Sequence, residues 1–504
     1  MSYIRTAVRG TGWIIFFHFA AAVISYATRV TLARTLTPAE YGLFYAVFGL
    51  VTFTLFFRDL GVAPALAKYI PEYRVHQQWD YIKTMIASVT LIQMVGSMLI
   101  SIVLFFLADT LAVNYFRTPE ASLMLKILIG YIIGSLFFRL TRAVLQGFQS
   151  LFLFAAGEFL KNLIAWLLII LFFHMGYRTQ SPALAFALVC PIVVLIDLPF
   201  LLKDFNFFKH NIVEFKTITK KVFIYSLPLF ATAITDKLFS QLDTVMLTYF
   251  RTTTEVGIYN SVLPTAQMLL IIGTSAAIAF FPISAELQAR NDMKKLAEGI
   301  RLLFRYIFFI SIPAIMPFFI YAQYFIEAVF GREYLAGVPS LQVLLFGTLF
   351  LICATININI ISALGSTKAV AKITFMSSIL DTITNLIFIP PFGVFGAAAT
   401  TAVSYAFVFG LSAAKVKTLV ETKLPIKSWL KLVIPTASMG AIMYFLPKMM
   451  SLRPLVEMAL SFFVGLLVYS ALSILLKIID VKEIKRYGKI VIRPGNGMLQ
   501  ENLD

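Results

Sequence analysis

Fourteen apolar runs follow one another from residue 11 to residue 477, separated only by short polar connections. Each is long enough to cross a bilayer as a helix, which takes about 20 residues, since lipid offers backbone N–H and C=O groups no partner but each other. The runs fall at roughly 11–33, 42–66, 84–108, 121–146, 153–174, 182–202, 221–249, 257–283, 302–328, 338–363, 370–389, 394–415, 429–447 and 455–477. The fold class that follows is an all-α polytopic membrane protein. Its composition agrees: 13% of residues are charged, about half the share in soluble domains. No connection is long enough to hold a soluble catalytic domain, so an enzyme is not expected. Arg5 and Arg9 before the first run resemble a signal peptide, but the same run recurs in mid-chain and is expected to be a retained first span.

That recurrence is specific. Leu32-Ala-Arg-Thr-Leu-Thr-Pro-Ala-Glu-Tyr-Gly-Leu-Phe44 is a polar turn between two runs, and Leu247-Thr-Tyr-Phe-Arg-Thr-Thr-Thr-Glu-Val-Gly-Ile-Tyr259 is a second version of it. Glu40, Gly42 and Phe44 fall on Glu255, Gly257 and Tyr259 at a constant offset of 215 residues. Runs 1–6 and 7–12 therefore read as two copies, and an even number of spans per copy makes the repeats parallel. The expected organisation is an N-terminal lobe over 1–202, a cytoplasmic linker over 203–220 and a C-terminal lobe over 221–416. An appended helix pair over 417–478 and a cytoplasmic tail over 479–504 complete it. The aromatic and basic residues of the linker also suit a helix lying on the inner membrane surface.

Net charge is +17, which in a membrane chain reports orientation rather than nucleic-acid binding. With the N-terminus in the cytoplasm, 31 of the 42 Lys and Arg residues fall on the inner side and 8 on the outer. Both termini are then cytoplasmic, and the protein is expected in the cell membrane. The remaining three cations, Arg29, Arg58 and Lys237, lie inside spans. The two cysteines, Cys190 and Cys353, sit in apolar runs with no metal-ligand spacing. No metal site, catalytic residue or cofactor is expected.

Charges inside a span are costly, so they face a cavity, a ligand or a partner. His18, Ser25 and Arg29 form one helical stripe, and Thr232, Asp236, Ser240 and Asp243, with Lys237 beside them, form another. Tyr45, Thr52 and Asp59 recur at sevens, as do Asn260, Gln267 and Thr274 at the same offset of 215. One reading gives an anionic headgroup held near Arg29 and Arg58, with Ser25 and Gln267 on the neighbouring polar stripes contributing, since arginine's fork suits phosphate. Asp59, Asp236 and Asp243 then take a coupling cation or proton. The other reading makes these charges ion pairs that lock the bundle. Arg58 and Asp59 are adjacent, about 100° apart on a helix, and are not expected to pair. Arg139, Arg142 and Gln146 share a face near the inner surface and suit snorkelling or lipid headgroup contact. Asn357 and Asn359, and the stripe Thr374, Ser378, Asp381 and Asn385, suit interhelical hydrogen bonds.

These residues resemble a known family. The opening turn, then Phe57-Arg-Asp-Leu-Gly-Val-Ala-Pro-Ala-Leu-Ala-Lys-Tyr-Ile-Pro71, Val144-Leu-Gln-Gly-Phe148 and Pro391-Phe-Gly-Val-Phe-Gly-Ala-Ala-Ala-Thr400, are similar to the polysaccharide-biosynthesis flippases. That family includes the O-antigen flippases and archaeal relatives within the multidrug/oligosaccharidyl-lipid/polysaccharide (MOP) exporter superfamily. The resemblance implies two six-helix lobes around a cationic cavity and transport of a polyprenyl-(di)phosphate-linked oligosaccharide by alternating access. It implies membrane lipids and glycosyltransferases or a polymerase of the same pathway as partners. In the related lipid II flippase, arginines on the first two spans bind the diphosphate; Arg29 and Arg58 lie at similar places, and Lys237 is the candidate for the substrate-binding basic residue that the family puts on its second lobe. The alternatives are a cation-coupled multidrug antiporter, disfavoured by runs 13–14 and by Arg29 and Arg58, and a membrane glycosyltransferase or polymerase, which needs a large outer loop.

Overall fold

The computed structural model describes residues 2–422, 424–450 and 453–478; the side chains of 2–11, 204, 228–229 and 231–240 fall outside the described residues. The expected tail over 479–504 lies outside them as well. In chain order the helices are α1 (Ser2–Thr35), α2 (Pro38–Asp59), α3 (Ala63–Val75), α4 (Trp79–Asn114), α5 (Glu120–Gly147), α6 (Leu151–His174), α7 (Ser181–Asp204) and α8 (Phe215–Phe250). Then come α9 (Thr253–Gln267), α10 (Leu270–Ala289), α11 (Met293–Ile320), α12 (Ala322–Val329), α13 (Val338–Ala363), α14 (Thr367–Val420), α15 (Ile426–Phe445) and α16 (Pro454–Leu475). No strand occurs among the described residues.

Among the described residues, 12 helical stretches are long and apolar enough to cross a membrane. One of them, α14, has 54 residues, a length of about 80 Å and twice what one crossing needs. Pro390 and Pro391 remove two N–H donors, and Gly393 at φ 55°, ψ −128° breaks the helix into two spans. The carbonyl of Pro390 accepts a hydrogen bond from Arg251 Nη1 at 3.1 Å. A Cβ at Gly393 would collide with the Glu255 carboxylate. Helix α8 covers the run expected at 221–249, and the other runs also fall on helices, those at 257–283 and 302–328 broken at Met268–Leu269 and at Tyr321. The run at 42–66 is shorter as a helix than expected. Leu60 and Gly61 take left-handed backbone angles (φ 40° and 68°), ending α2 at Asp59 and starting a separate α3.

The chain forms two compact units. Unit 1 comprises Met1–Pro264, Ile326–Ser340 and Thr374–Thr400; unit 2 comprises Thr265–Phe325, Leu341–Ile373 and Thr401–Asp504. In unit 1, α5 packs against α4 and α7, α1 against α6, and α2 against α4 and α8. Ile70, Ile86, Val144 and Leu145 lie in its core. In unit 2, α15 and α16 pack on each other and α15 on α11. Tyr321 donates to the Met443 carbonyl at 2.6 Å and Tyr469 to that of Phe309 at 3.1 Å.

The repeated turn lies in unit 1. Thr37 caps α2 by accepting from Glu40 N at 3.3 Å, while Glu40 Oε2 accepts from Thr37 N at 2.9 Å, a capping box worth about 1 kcal/mol. Glu40 also pairs with Arg178 at 2.9 Å, tying down the α6–α7 connection. The second version repeats half of this cap: Thr252 accepts from Glu255 N at 3.3 Å. Glu255 pairs instead with Arg251 at 3.0 Å. The two glycines meet. A Cβ on Gly42 would stand 2.6 Å from Gly257 N and inside the Thr253 carbonyl oxygen. A Cβ on Gly257 would stand 3.1 Å from Gly42 N and overlap the Pro38 carbonyl oxygen. Pro38 and Thr253 are themselves 215 residues apart, so the contact is reciprocal, as a local two-fold requires.

The segment before α8 forms one 3₁₀ turn, Phe207–Lys209, and not the surface helix its composition suits. It is strapped to the start of α4. Asn211 N donates to Asp80 Oδ1 at 2.9 Å, Val213 N to Thr84 Oγ1 at 2.8 Å, and Lys83 to the His210 carbonyl at 2.5 Å. With its backbone groups bound to α4, it has no need of helical bonds.

Candidate functional site

Arg29 lies two turns before the end of α1, half-buried in a span. Its guanidinium stacks on the Tyr45 ring at 4.7 Å, and Nη1 donates to the Asn260 carbonyl at 3.2 Å. Tyr45 and Asn260 are the matched first members of the two polar triplets, so Arg29 joins equivalent points of the repeat. Tyr41 donates to the same carbonyl at 3.4 Å. Among the described residues no carboxylate meets Arg29. Ser25 sits half-buried one turn away.

Arg58 is elsewhere. It is fully buried at the end of α2 and faces α5, where Nη1 donates to the Ile132 carbonyl and Ser135 Oγ, both at 2.8 Å. Tyr45 and Arg58 are separated by 13 residues of continuous helix, about 20 Å along the axis. Arg29 and Arg58 are therefore not brought together around one phosphate. Antiparallel neighbours align residues equally far from their turn, and Arg58 is much further from Thr37 than Arg29 is. The expectation for Asp59 also needs correction. Arg58 Nε and Nη2 both donate to Asp59 Oδ1, at 3.0 and 2.9 Å. A 100° offset separates Cβ directions, but the long arginine stem curls across it where the helix ends.

Asp59 Oδ2 takes Arg139 at 2.6 Å, so one carboxylate bridges two arginines. The triad lines a cavity of about 550 Å³ bounded also by Arg142, Glu158 and Lys161. Lys161 pairs with Glu158 at 2.5 Å. Arg142 does not snorkel: it is buried, pairs with Asp197 and donates to the Leu153 carbonyl at 2.5 Å. Asp197 on α7 supplies the counter-charge that composition of α5 alone could not reveal. Arg139, with a side chain 45% exposed, is the accessible member of the triad. Asp59→Asn should cost roughly 3–5 kcal/mol, because it strands a buried arginine. Thermal unfolding in detergent measures it, and adding Arg58→Met should recover most of the loss; a melt unmoved by Asp59→Asn would remove the bridging role.

Asp243 on α8 is buried, accepts from the Tyr259 hydroxyl, and takes Asn385 Nδ2 at 2.6 Å. Asn385 also donates to Asp381 Oδ2 at 3.1 Å and accepts from Thr400. One amide thus links two buried acids on α8 and α14, an association the separate sequence stripes did not disclose. The i, i+4 spacing of Asp381 and Asn385 was the available signal. Asp236 and Lys237 lie outside the described residues. Gln267 lies in unit 2, donating to the Tyr405 hydroxyl at 3.0 Å.

The profile of the polysaccharide biosynthesis protein family matches residues 7–288. An uncharacterized membrane protein of Methanocaldococcus jannaschii is 27% identical, covering 96% of this chain and 98% of that one. A probable low-salt glycan biosynthesis flippase of Haloferax volcanii is 22% identical over 51% of this chain and 54% of its own length. Among solved structures, a lipid II flippase in an inward closed conformation superposes with a TM-score of 0.73 at 16% identity, over 92% of this chain and 99% of that one. An inward-facing multidrug resistance transporter of the MOP superfamily gives 0.67 at 12%, over 79% and 94%.

Proposed function

This chain belongs to the polysaccharide biosynthesis protein family, and from that premise we propose that it carries a polyprenyl-(di)phosphate-linked oligosaccharide from the inner to the outer leaflet. It is a multi-pass membrane protein and a flippase or transporter of the MOP superfamily. Its substrate and direction are our reading. The observation that carries the reading is Arg29, a half-buried span arginine held by a carbonyl and an aromatic ring, with no carboxylate against it among the described residues. An uncompensated cation in a membrane is costly, and an anionic ligand offsets that cost. A site for cationic drugs has no use for it.

The excess of Lys and Arg on one side favours a cell-membrane protein with both termini in the cytoplasm. In that orientation the cavity at Arg58, Asp59 and Arg139 lies toward the inner leaflet, where a phosphate could displace the Asp59 carboxylate from the exposed Arg139. Asp243, joined to Asp381 through Asn385, is the place for a coupling proton or cation. Pathway glycosyltransferases or a polymerase would supply and consume the substrate.

Purified protein in proteoliposomes should translocate a fluorescent polyprenyl-diphosphate oligosaccharide, and an imposed proton or Na⁺ gradient should drive no efflux of a cationic dye. The superposition on a multidrug transporter keeps the antiporter as the second reading. Dye efflux without movement of the lipid-linked sugar would establish it and sink the first.

A further inference from the structure

Unit 2 holds a second cavity, of about 480 Å³, where α11 begins and α13 and α14 end. Arg301 and Lys417 stand on its wall, both exposed, and neither meets a carboxylate among the described residues. Asn357, fully buried on α13, lines the same cavity. Its Nδ2 donates to Ser412 Oγ at 3.2 Å, and its Oδ1 has no hydrogen-bond partner. The remaining wall is apolar, with Phe304, Phe409 and Leu424.

We propose that this cavity binds the headgroup of an anionic phospholipid, its phosphate between Arg301 and Lys417 and a headgroup hydroxyl donated to Asn357 Oδ1. Three independent features ask for that ligand. Two unpaired cations on one wall call for an anion. A buried carbonyl oxygen without a donor calls for an O–H or N–H group, since leaving it bare is unfavourable. The apolar wall excludes a fully hydrated ion and suits the glycerol and first methylenes of a lipid. Depth agrees: Asn357 is six residues from the end of α13, about 9 Å, near where headgroups give way to hydrocarbon. The site uses none of the residues assigned to transport and does not depend on that assignment.

Gly410 offers a clean test. It lines the cavity, and a Cβ placed on it meets no heavy atom within 4 Å. Gly410→Leu should therefore fill the space without disturbing the helix. Delipidated protein is titrated with phosphatidylglycerol, phosphatidic acid, phosphatidylcholine or inorganic phosphate, and the bound species are counted by native mass spectrometry. One phosphatidylglycerol should bind roughly tenfold more tightly than phosphatidylcholine, and Gly410→Leu or Arg301→Gln/Lys417→Gln should remove that preference. Asn357→Leu should bring phosphatidylglycerol down to the affinity of phosphatidic acid, which lacks the hydroxylated head. Equal binding of phosphatidylglycerol and phosphatidylcholine would overturn the proposal, as would an unchanged preference in Gly410→Leu. Inorganic phosphate binding as tightly as phosphatidylglycerol would reassign the site to a soluble anion and overturn the lipid assignment.

Discussion

Arg29→Ala is expected to lower the initial rate of lipid-linked oligosaccharide translocation in proteoliposomes by roughly a hundredfold or more. Two charge-assisted hydrogen bonds to a phosphate contribute about 1.5–3 kcal/mol each, and every 1.4 kcal/mol is a factor of ten. Arg29→Lys keeps the charge but loses the planar fork and should retain an intermediate rate. The structural reading of Arg29 makes the opposite demand on stability. If the guanidinium mainly braces the bundle through Tyr45 and the Asn260 carbonyl, its removal lowers the melting temperature. If it waits for an anion, removing an uncompensated charge leaves the melt unchanged or raises it. A variant that transports within threefold of the parent would end the assignment, whatever its melt does.

The same residue shows where sequence reading succeeds and where it stops. Helices were legible because a bilayer forbids nearly every alternative. The α14 break was legible as two runs because Pro390, Pro391 and Gly393 interrupt it. The offset of 215 found Tyr45 and Asn260 as equivalents, and the structure places both against Arg29. What failed was the pairing of charges, across helices and within one. Arg142 reads as a surface arginine until Asp197, 55 residues on, is seen against it. Arg58 and Asp59 were separated by an angular rule that ignores how far an arginine stem reaches. Counting residues from the Thr37 turn already sets Arg29 and Arg58 far apart, as antiparallel spans with a short connection must.

Gly42→Val should stall transport at least tenfold while leaving the protein folded in the membrane. The added side chain has nowhere to go, because its neighbours are the Thr253 carbonyl and Gly257 N, both backbone. A flexible side chain could yield by a few tenths of an ångström; a helix backbone cannot do so without the two turns separating. Gly49 provides the contrast, since its nearest neighbour is Thr244 Cγ2 at 3.1 Å, and Gly49→Ala should cost little. Gly257→Val attacks the same crossing from the other repeat, so the two substitutions together should be no worse than either alone. Such non-additivity distinguishes a shared contact from two independent packing defects, which would sum. The effect falls on whichever conformation needs the crossing. A carrier that alternates between states is stopped by excluding either one, even when the substitution costs only a few kcal/mol. Wild-type rates in Gly42→Val would show that the glycine crossing is dispensable and that the duplicated turn only connects its helices.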